Sequence, residues 1–216
     1  MNKLKTRGQL VVISGPSGAG KGTVVKEVLR TNPFTWVSVS CTSRNPRPGE
    51  VDGKSYYFLT REEFEEKIKK NELLEYAEYA GNYYGTPKDI IEEKLNEGID
   101  VILEIEIQGA LKIKEKLEDT IFIFILPPSM RELKKRLDGR NTETKEAIFK
   151  RFQTAYQEIN TVNKYNYVVI NDEVEDAAKK VNAILLAERS RVDRIEETFL
   201  NSLEEEVHEI LVELNQ

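Results

Sequence analysis

The sequence predicts an α/β fold: a doubly wound parallel sheet interrupted by an inserted mixed α+β subdomain and closed by a helical lid. Three observations carry this. Apolar runs at Gln9–Ile13, Val101–Ile105, Ile121–Leu126 and Tyr165–Ile170, nearly unbroken, read as buried parallel strands. Stretches with helical spacing separate them. The interruption between about 40 and 90 is too long for a crossover and contains strand-like segments of its own.

The first strand leads into Gly15-Pro16-Ser17-Gly18-Ala19-Gly20-Lys21-Gly22-Thr23, and Val24–Leu29 follows at helical spacing. Strand, glycine loop and helix are the context of a phosphate-binding loop. The glycines let the backbone turn and aim N–H groups inward, the helix N-terminus adds partial positive charge, and Lys21 supplies a full one. The usual hydroxyl after the lysine is replaced by Gly22 and comes one place later, at Thr23, so direct Mg²⁺ ligation from this loop is a weaker expectation than nucleotide binding.

Trp36–Val39 is the next strand. Pro46, Pro48, Gly49 and Gly53 then predict an irregular segment over 40–57. Thr60-Arg61-Glu62-Glu63 reads as a capping box opening a helix. Leu73–Tyr79 and Asn82–Gly85 form a hairpin turning at Gly81-Asn82, and Lys88–Leu95 is helical. Asp138–Thr144 is a polar break between two helices, a candidate lid. The tail carries Leu200, Leu203, Val207, Ile210 and Leu214 in a stripe about two heptads long. It is expected to pack on its own domain, with a second copy or another partner as the alternative. His208 reads as a surface histidine.

The chain has 216 residues, enough for a sizeable core, and a formal net charge of −6. Residues 193–216 hold eight acids against one arginine, so the remainder is close to neutral. Basic residues gather at 44–54 and 131–151, which suits an anionic small molecule rather than nucleic acid. Cys41, the single cysteine, excludes an intrachain disulfide and fits a reducing cytoplasm. The apolar run after Lys3, Lys5 and Arg7 is too short for a signal peptide, and no stretch approaches a membrane span.

Arg44 and Arg47, on a proline-stiffened loop with Ser40 and Tyr56 nearby, can receive a second phosphate group. Two phosphate sites suggest a phosphotransferase. Glu75 and Thr86 flank the hairpin with Tyr83 and Tyr84. A carboxylate and a hydroxyl there suit the N1–H, N2–H₂ and O6 of guanine, although Glu75 also fits an ordinary strand-edge carboxylate. Glu104 and Glu106 end a strand where α/β ligands bind; either can hold Mg²⁺ through water, position the acceptor, or pair with Lys21. Arg136, Arg140 and Arg151 bracket the polar break. They can stabilise a transferring phosphoryl group or form exposed basic faces.

In order and spacing, GPSGAGKGT, SRNPRPGEVDGKSYYF, LLEYAEYAGNYYGTP, LEIEIQGA and LDGRNTET resemble the guanylate kinases of bacterial type, over residues 7 to about 190. The resemblance implies a P-loop core (1–39, 91–135 and 158–192), a GMP-binding subdomain at 40–90 and a lid at 136–157; it says nothing about the acidic helical extension at 193–216, which is longer than the family's usual ending. It implies transfer of the γ-phosphoryl of MgATP to GMP or dGMP. By position, Ser40, Arg44, Arg47, Tyr56 and Tyr84 would hold the GMP phosphate, and Glu75 and Thr86 the guanine. Glu104 and Glu106 stand where many relatives have aspartates. Lys21, Arg136, Arg140 and Arg151 would meet ATP phosphates along with the loop Gly15–Thr23, and Asn171 would lie near the adenine. A scaffold module of this family without catalysis would be expected to have a degraded P-loop, and this loop is intact. An AMP or UMP kinase would have no use for Glu75.

Overall fold

The computed structural model describes residues 7–79, 81–138, 145–195 and 201–214. The main sheet contains β1 (Leu10–Ser14), β2 (Thr35–Val37), β7 (Asp100–Glu104), β8 (Thr120–Leu126) and β9 (Tyr167–Ile170). Their order across the sheet is β2-β7-β1-β8-β9, and every pair is parallel. The central strand β1 is buried along its whole length, which is why its sequence shows no alternation.

Side chains of β1 alternate between two cores. Val11 and Ile13 pack with Val24, Val25 and Val28 of α1 (Lys21–Thr31) and Ala177, Val181 and Leu185 of α7 (Val174–Glu188). Leu10 and Val12 face the other way, onto Ile91 and Leu95 of α3 (Asp89–Asn96) and Ala110 and Ile113 of α4 (Ile107–Lys114). Helices on both faces make the sheet doubly wound, as its apolar runs predict. The register Ile13 with Glu104 sets the carboxyl ends of β1 and β7 side by side.

The interruption forms a second sheet of β3 (Cys41–Thr42), β4 (Tyr57–Phe58), β5 (Leu73–Tyr79) and β6 (Asn82–Pro87), in the order β4-β3-β6-β5. The irregular reading of 40–57 needs correction at its ends, where β3 pairs parallel with β4 and antiparallel with β6. The hairpin strands meet at Tyr79 and Asn82 as expected, but Asn82 is paired, so the turn lies before it and not at Gly81-Asn82. Between them, α2 (Arg61–Lys69) starts at the expected capping box. Glu63 N–H donates to the Thr60 hydroxyl at 3.1 Å, and Thr60 N–H donates to the Glu63 carboxylate at 2.7 Å. Its Phe64 is fully buried and stacks on Tyr83 at 5.2 Å between ring centres. Leu73 joins this small core and its neighbour Leu74 joins the core of the main sheet, so β5 belongs to both.

After β8 come α5 (Met130–Asp138) and α6 (Lys145–Ile159), joined by a core of Leu133, Leu137 and Ala155. Most of the polar break, 139–144, lies outside the described residues, and Arg140 with it. A 3-10 turn at Val162–Lys164 leads into β9. The chain ends in α8 (Val192–Ile195) and α9 (Asn201–Leu214). The expectation that the α9 stripe packs on its own domain is not met: Leu203, Val207, Ile210 and Leu214 are all exposed, Leu214 at 77%. Leu200, the first residue of the stripe, lies outside the described residues. Among the described residues no helix is long and apolar enough to cross a membrane.

Candidate active site

The loop between β1 and α1 has Gly15, Gly18 and Gly20 at φ of 146°, 88° and 86°, a region side chains disfavour. Two of the glycines are also required by space. A Cβ on Gly15 would fall 2.2 Å from the Ile125 carbonyl oxygen, and one on Gly20 would fall 2.4 Å from Asn171 Nδ2. Gly20 caps α1 without any side-chain cap, and the first turn holds no acid, so the helix start is electropositive.

Lys21 folds back on this loop, donating to the carbonyls of Gly15 at 2.6 Å and Pro16 at 3.2 Å. Burial pushes its pKa below the ordinary lysine value, and Glu104, Glu158 and Glu106 partly restore it. Glu104 lies over Gly22: a Cβ there would meet its Oε1 at 3.3 Å. The departure at Gly22 thus makes room for the longer acid. Glu104 keeps solvent contact, while surrounding protein raises its pKa against the pull of Lys21 and Lys26. Glu106 caps α4 by position only, with no side-chain cap bond. Thr23 is exposed on the first turn of α1.

From the far side, Asn171 follows β9 and donates Nδ2 to the Ala19 carbonyl at 2.8 Å. Arg136 on α5 reaches the Asn171 carbonyl at 3.2 Å and the Ala19 carbonyl at 3.5 Å. Arg151 on α6 donates to the Ser17 hydroxyl at 2.8 Å. Two of the three arginines that bracket the polar break therefore touch the phosphate loop and are not merely solvated faces.

In the inserted segment, Arg44 forms a bidentate fork with Glu50 at 3.0 and 2.9 Å. Its guanidinium lies 5.5 Å from the centre of the Tyr56 ring and 5.8 Å from that of Phe58. Glu50 also accepts from the backbone N–H of Arg47 at 2.7 Å, while the Arg47 side chain is exposed. The Tyr56 ring meets Tyr84 edge-on at 6.1 Å. The Ser40 carbonyl accepts from Tyr57 N–H at 2.9 Å. Arg44 thus meets Tyr56, and Tyr56 meets Tyr84, while Arg47 joins through its backbone bond to Glu50, a member that the residue pattern did not reveal.

Glu75 and Thr86 are partners across β5 and β6, and both are buried. The Thr86 hydroxyl donates to Glu75 Oε1 at 2.8 Å. The other oxygen faces α4, where a Cβ on Gly109 would stand 3.3 Å from it. Burial raises the Glu75 pKa; the Thr86 bond, Lys112 and Lys116 only partly offset this. A second unforeseen acid is Glu158 on α6, whose Oε2 accepts from Ser17 N–H at 3.4 Å. Its sequence signal is faint: it lies seven residues after Arg151, on the same helix face.

Residues 7–188 match the family model described as guanylate kinase. A guanylate kinase of Clostridium perfringens is 60% identical over 213 residues, which cover 98% of this chain and 99% of that one. One of Clostridium tetani is 60% identical over 205 residues, 95% of this chain and 98% of that one. The first match runs on into the acidic extension that the family model leaves out. The crystal structure of guanylate kinase from Anaplasma phagocytophilum superposes with a TM-score of 0.71 at 36% identity, covering 88% of this chain and 91% of that one. With a match this long and this close, the chain belongs to the guanylate kinase family.

Proposed function

We propose that this chain transfers the γ-phosphoryl group of MgATP to GMP, and to dGMP, giving ADP with GDP or dGDP. The observation that carries the reading is the buried Glu75–Thr86 pair, on a sheet separate from the phosphate loop. Guanine presents two adjacent donors, N1–H and N2–H₂, which a carboxylate can accept together. Its O6 is an acceptor that suits the Thr86 hydroxyl once that hydroxyl turns away from Glu75 Oε1, its present partner. Adenine lacks N1–H and would leave a buried carboxylate unmatched, a discrimination on the order of a few kcal/mol.

The GMP phosphate falls to Arg44 and Arg47 with Ser40, Tyr56 and Tyr84. The ATP phosphates fall to the loop Gly15–Thr23, to Lys21, and to Arg136, Arg140 and Arg151. Asn171, bonded to Ala19, braces the loop beside the adenine site. In the reaction a GMP phosphate oxygen attacks the γ-phosphorus, the bond from that phosphorus to the β,γ-bridging oxygen breaks, and ADP departs with the electron pair. The attacking oxygen is largely ionised at neutral pH because its second pKa is about 6, so no general base is needed. The chain's contribution is to screen two polyanions and hold them in line.

Among the described residues no three acids, histidines or cysteines group as a metal site. Mg²⁺ would arrive with the nucleotide, taking one or two carboxylates along with substrate phosphates and water. Glu104 would hold it from the cleft side and Thr23 from the helix start. Bound there, it would neutralise phosphate charge. The 40–90 segment acts as the GMP-binding unit and 136–157 as the lid. The single buried cysteine favours a cytoplasmic setting, where purine nucleotides are recycled.

Chromatographic analysis of a mixture of the chain, MgATP and GMP tests this. ADP and GDP should appear in equal amounts. Formation of ADP with inorganic phosphate and no GDP would contradict transfer.

A further inference from the structure

Helix α6 brings two opposite charges to one residue of the phosphate loop. Arg151 and Glu158 are two turns apart on the same face. Arg151 Nη2 donates to the Ser17 hydroxyl at 2.8 Å, and Ser17 N–H donates to Glu158 Oε2 at 3.4 Å. Glu158 is half-buried, so its charge is only partly screened. Lys21 is among the groups that act on it, and Glu158 in turn acts on Lys21.

A polyphosphate needs the same two partners. Inward-facing N–H groups and the loop lysine are what a phosphate-binding loop offers an anion. Ser17 has one backbone N–H, and here a carboxylate takes it. The case differs from Arg44, which keeps two of its five N–H groups outside its contacts with Glu50 and Asn45. At Ser17 nothing is left over. Two anions cannot share one donor beside one ammonium without strong repulsion.

We propose that the Glu158 carboxylate is a resident anion on the phosphate loop, which the polyphosphate of the donor nucleotide must displace. Displacement bears on more than one contact. Glu158 and Arg151 both hold Ser17 from α6, so driving the carboxylate off the Ser17 N–H removes one of the two bonds that tie this helix to the residue and leaves Arg151, at the Ser17 hydroxyl, beside the incoming phosphates. Glu158 is thus a positioning residue that ties loop occupancy to the placement of α6. This rests on the kinase reading above, in which the loop receives ATP.

The test is calorimetric titration of the full chain with inorganic tripolyphosphate and, separately, with MgATP and GMP, for the wild type, Glu158→Gln and Glu158→Asp. Removing the charge should tighten tripolyphosphate binding about five- to tenfold, because a like charge a few ångströms away is gone. The KM for MgATP should fall in parallel while GMP affinity stays unchanged. Glu158→Asp keeps the charge but is one methylene shorter, so it should tighten binding by a smaller factor; this also guards against a glutamine variant that folds poorly. A structural role alone would weaken binding or leave it unaltered. Equal or weaker tripolyphosphate binding in the folded variants overturns the proposal while leaving the kinase reading intact. A wild type that binds neither MgATP nor tripolyphosphate overturns both.

Discussion

Thr86 donates its hydroxyl to Glu75 at 2.8 Å across paired strands, and both side chains are buried. The hydroxyl satisfies one carboxylate oxygen and leaves the other beside Gly109. Burial raises the Glu75 pKa above its ordinary 4.5, so the folded protein holds this proton more tightly than the unfolded chain. Stability from this group therefore falls as pH rises from about 4.5 through its folded value. Glu75→Gln should be more stable than the wild type at pH 7, with the gain shrinking as the pH falls towards 4.5. Thermal melts across that range check this.

The same titration governs substrate. In the proposed role the ionised carboxylate is the form that accepts two donors from guanine, so GMP affinity should drop as pH falls through the raised Glu75 value. The phosphate of GMP also gains a proton in this range, so Glu75→Gln is the control: the part of the drop that Glu75 causes should be missing in that variant. Fluorescence or calorimetric binding of GMP from pH 8 downward measures this, and a GMP affinity that is flat or rising on acidification would contradict the role.

Glu50 orients Arg44 through a two-point fork while Tyr56 and Phe58 support the guanidinium. Glu50→Gln should raise the KM for GMP roughly three- to tenfold, since a planar two-point contact becomes a single neutral one. The KM for MgATP should be nearly unchanged. Steady-state kinetics with each substrate varied separate the two.

Gly20→Ala puts a side chain at φ 86° and 2.4 Å from Asn171 Nδ2. The cost should be about 1–3 kcal/mol, together with a loss of MgATP affinity as Asn171 is pushed off the Ala19 carbonyl. Denaturant unfolding and MgATP titration read both effects.

Much of this was legible in the chain because local rules agreed. The unbroken apolar run at β1, the glycine loop and the Thr60–Glu63 capping box each depend on residues a few places apart. So does the Glu75–Thr86 hairpin pair, apart from its turn, where Asn82 joins the strand. What stayed hidden depends on folding. Ser17 and Glu158 meet across 141 positions, and no periodicity links them. Arg44 and Glu50 are close in sequence, but only a loop closed by proline and glycine turns makes them partners. In α9, amphipathic spacing was plain while the packing inferred from it was not, since spacing gives a face and not its complement.

The most direct test of the account is ADP formation from MgATP with GMP, dGMP, AMP, CMP or UMP as acceptor, for the wild type and Glu75→Gln. Turnover should be confined to GMP and dGMP, and Glu75→Gln should lose at least about tenfold in kcat/KM for GMP, the cost of a buried charged hydrogen bond. Equal turnover with AMP, or full GMP activity in Glu75→Gln, would contradict it.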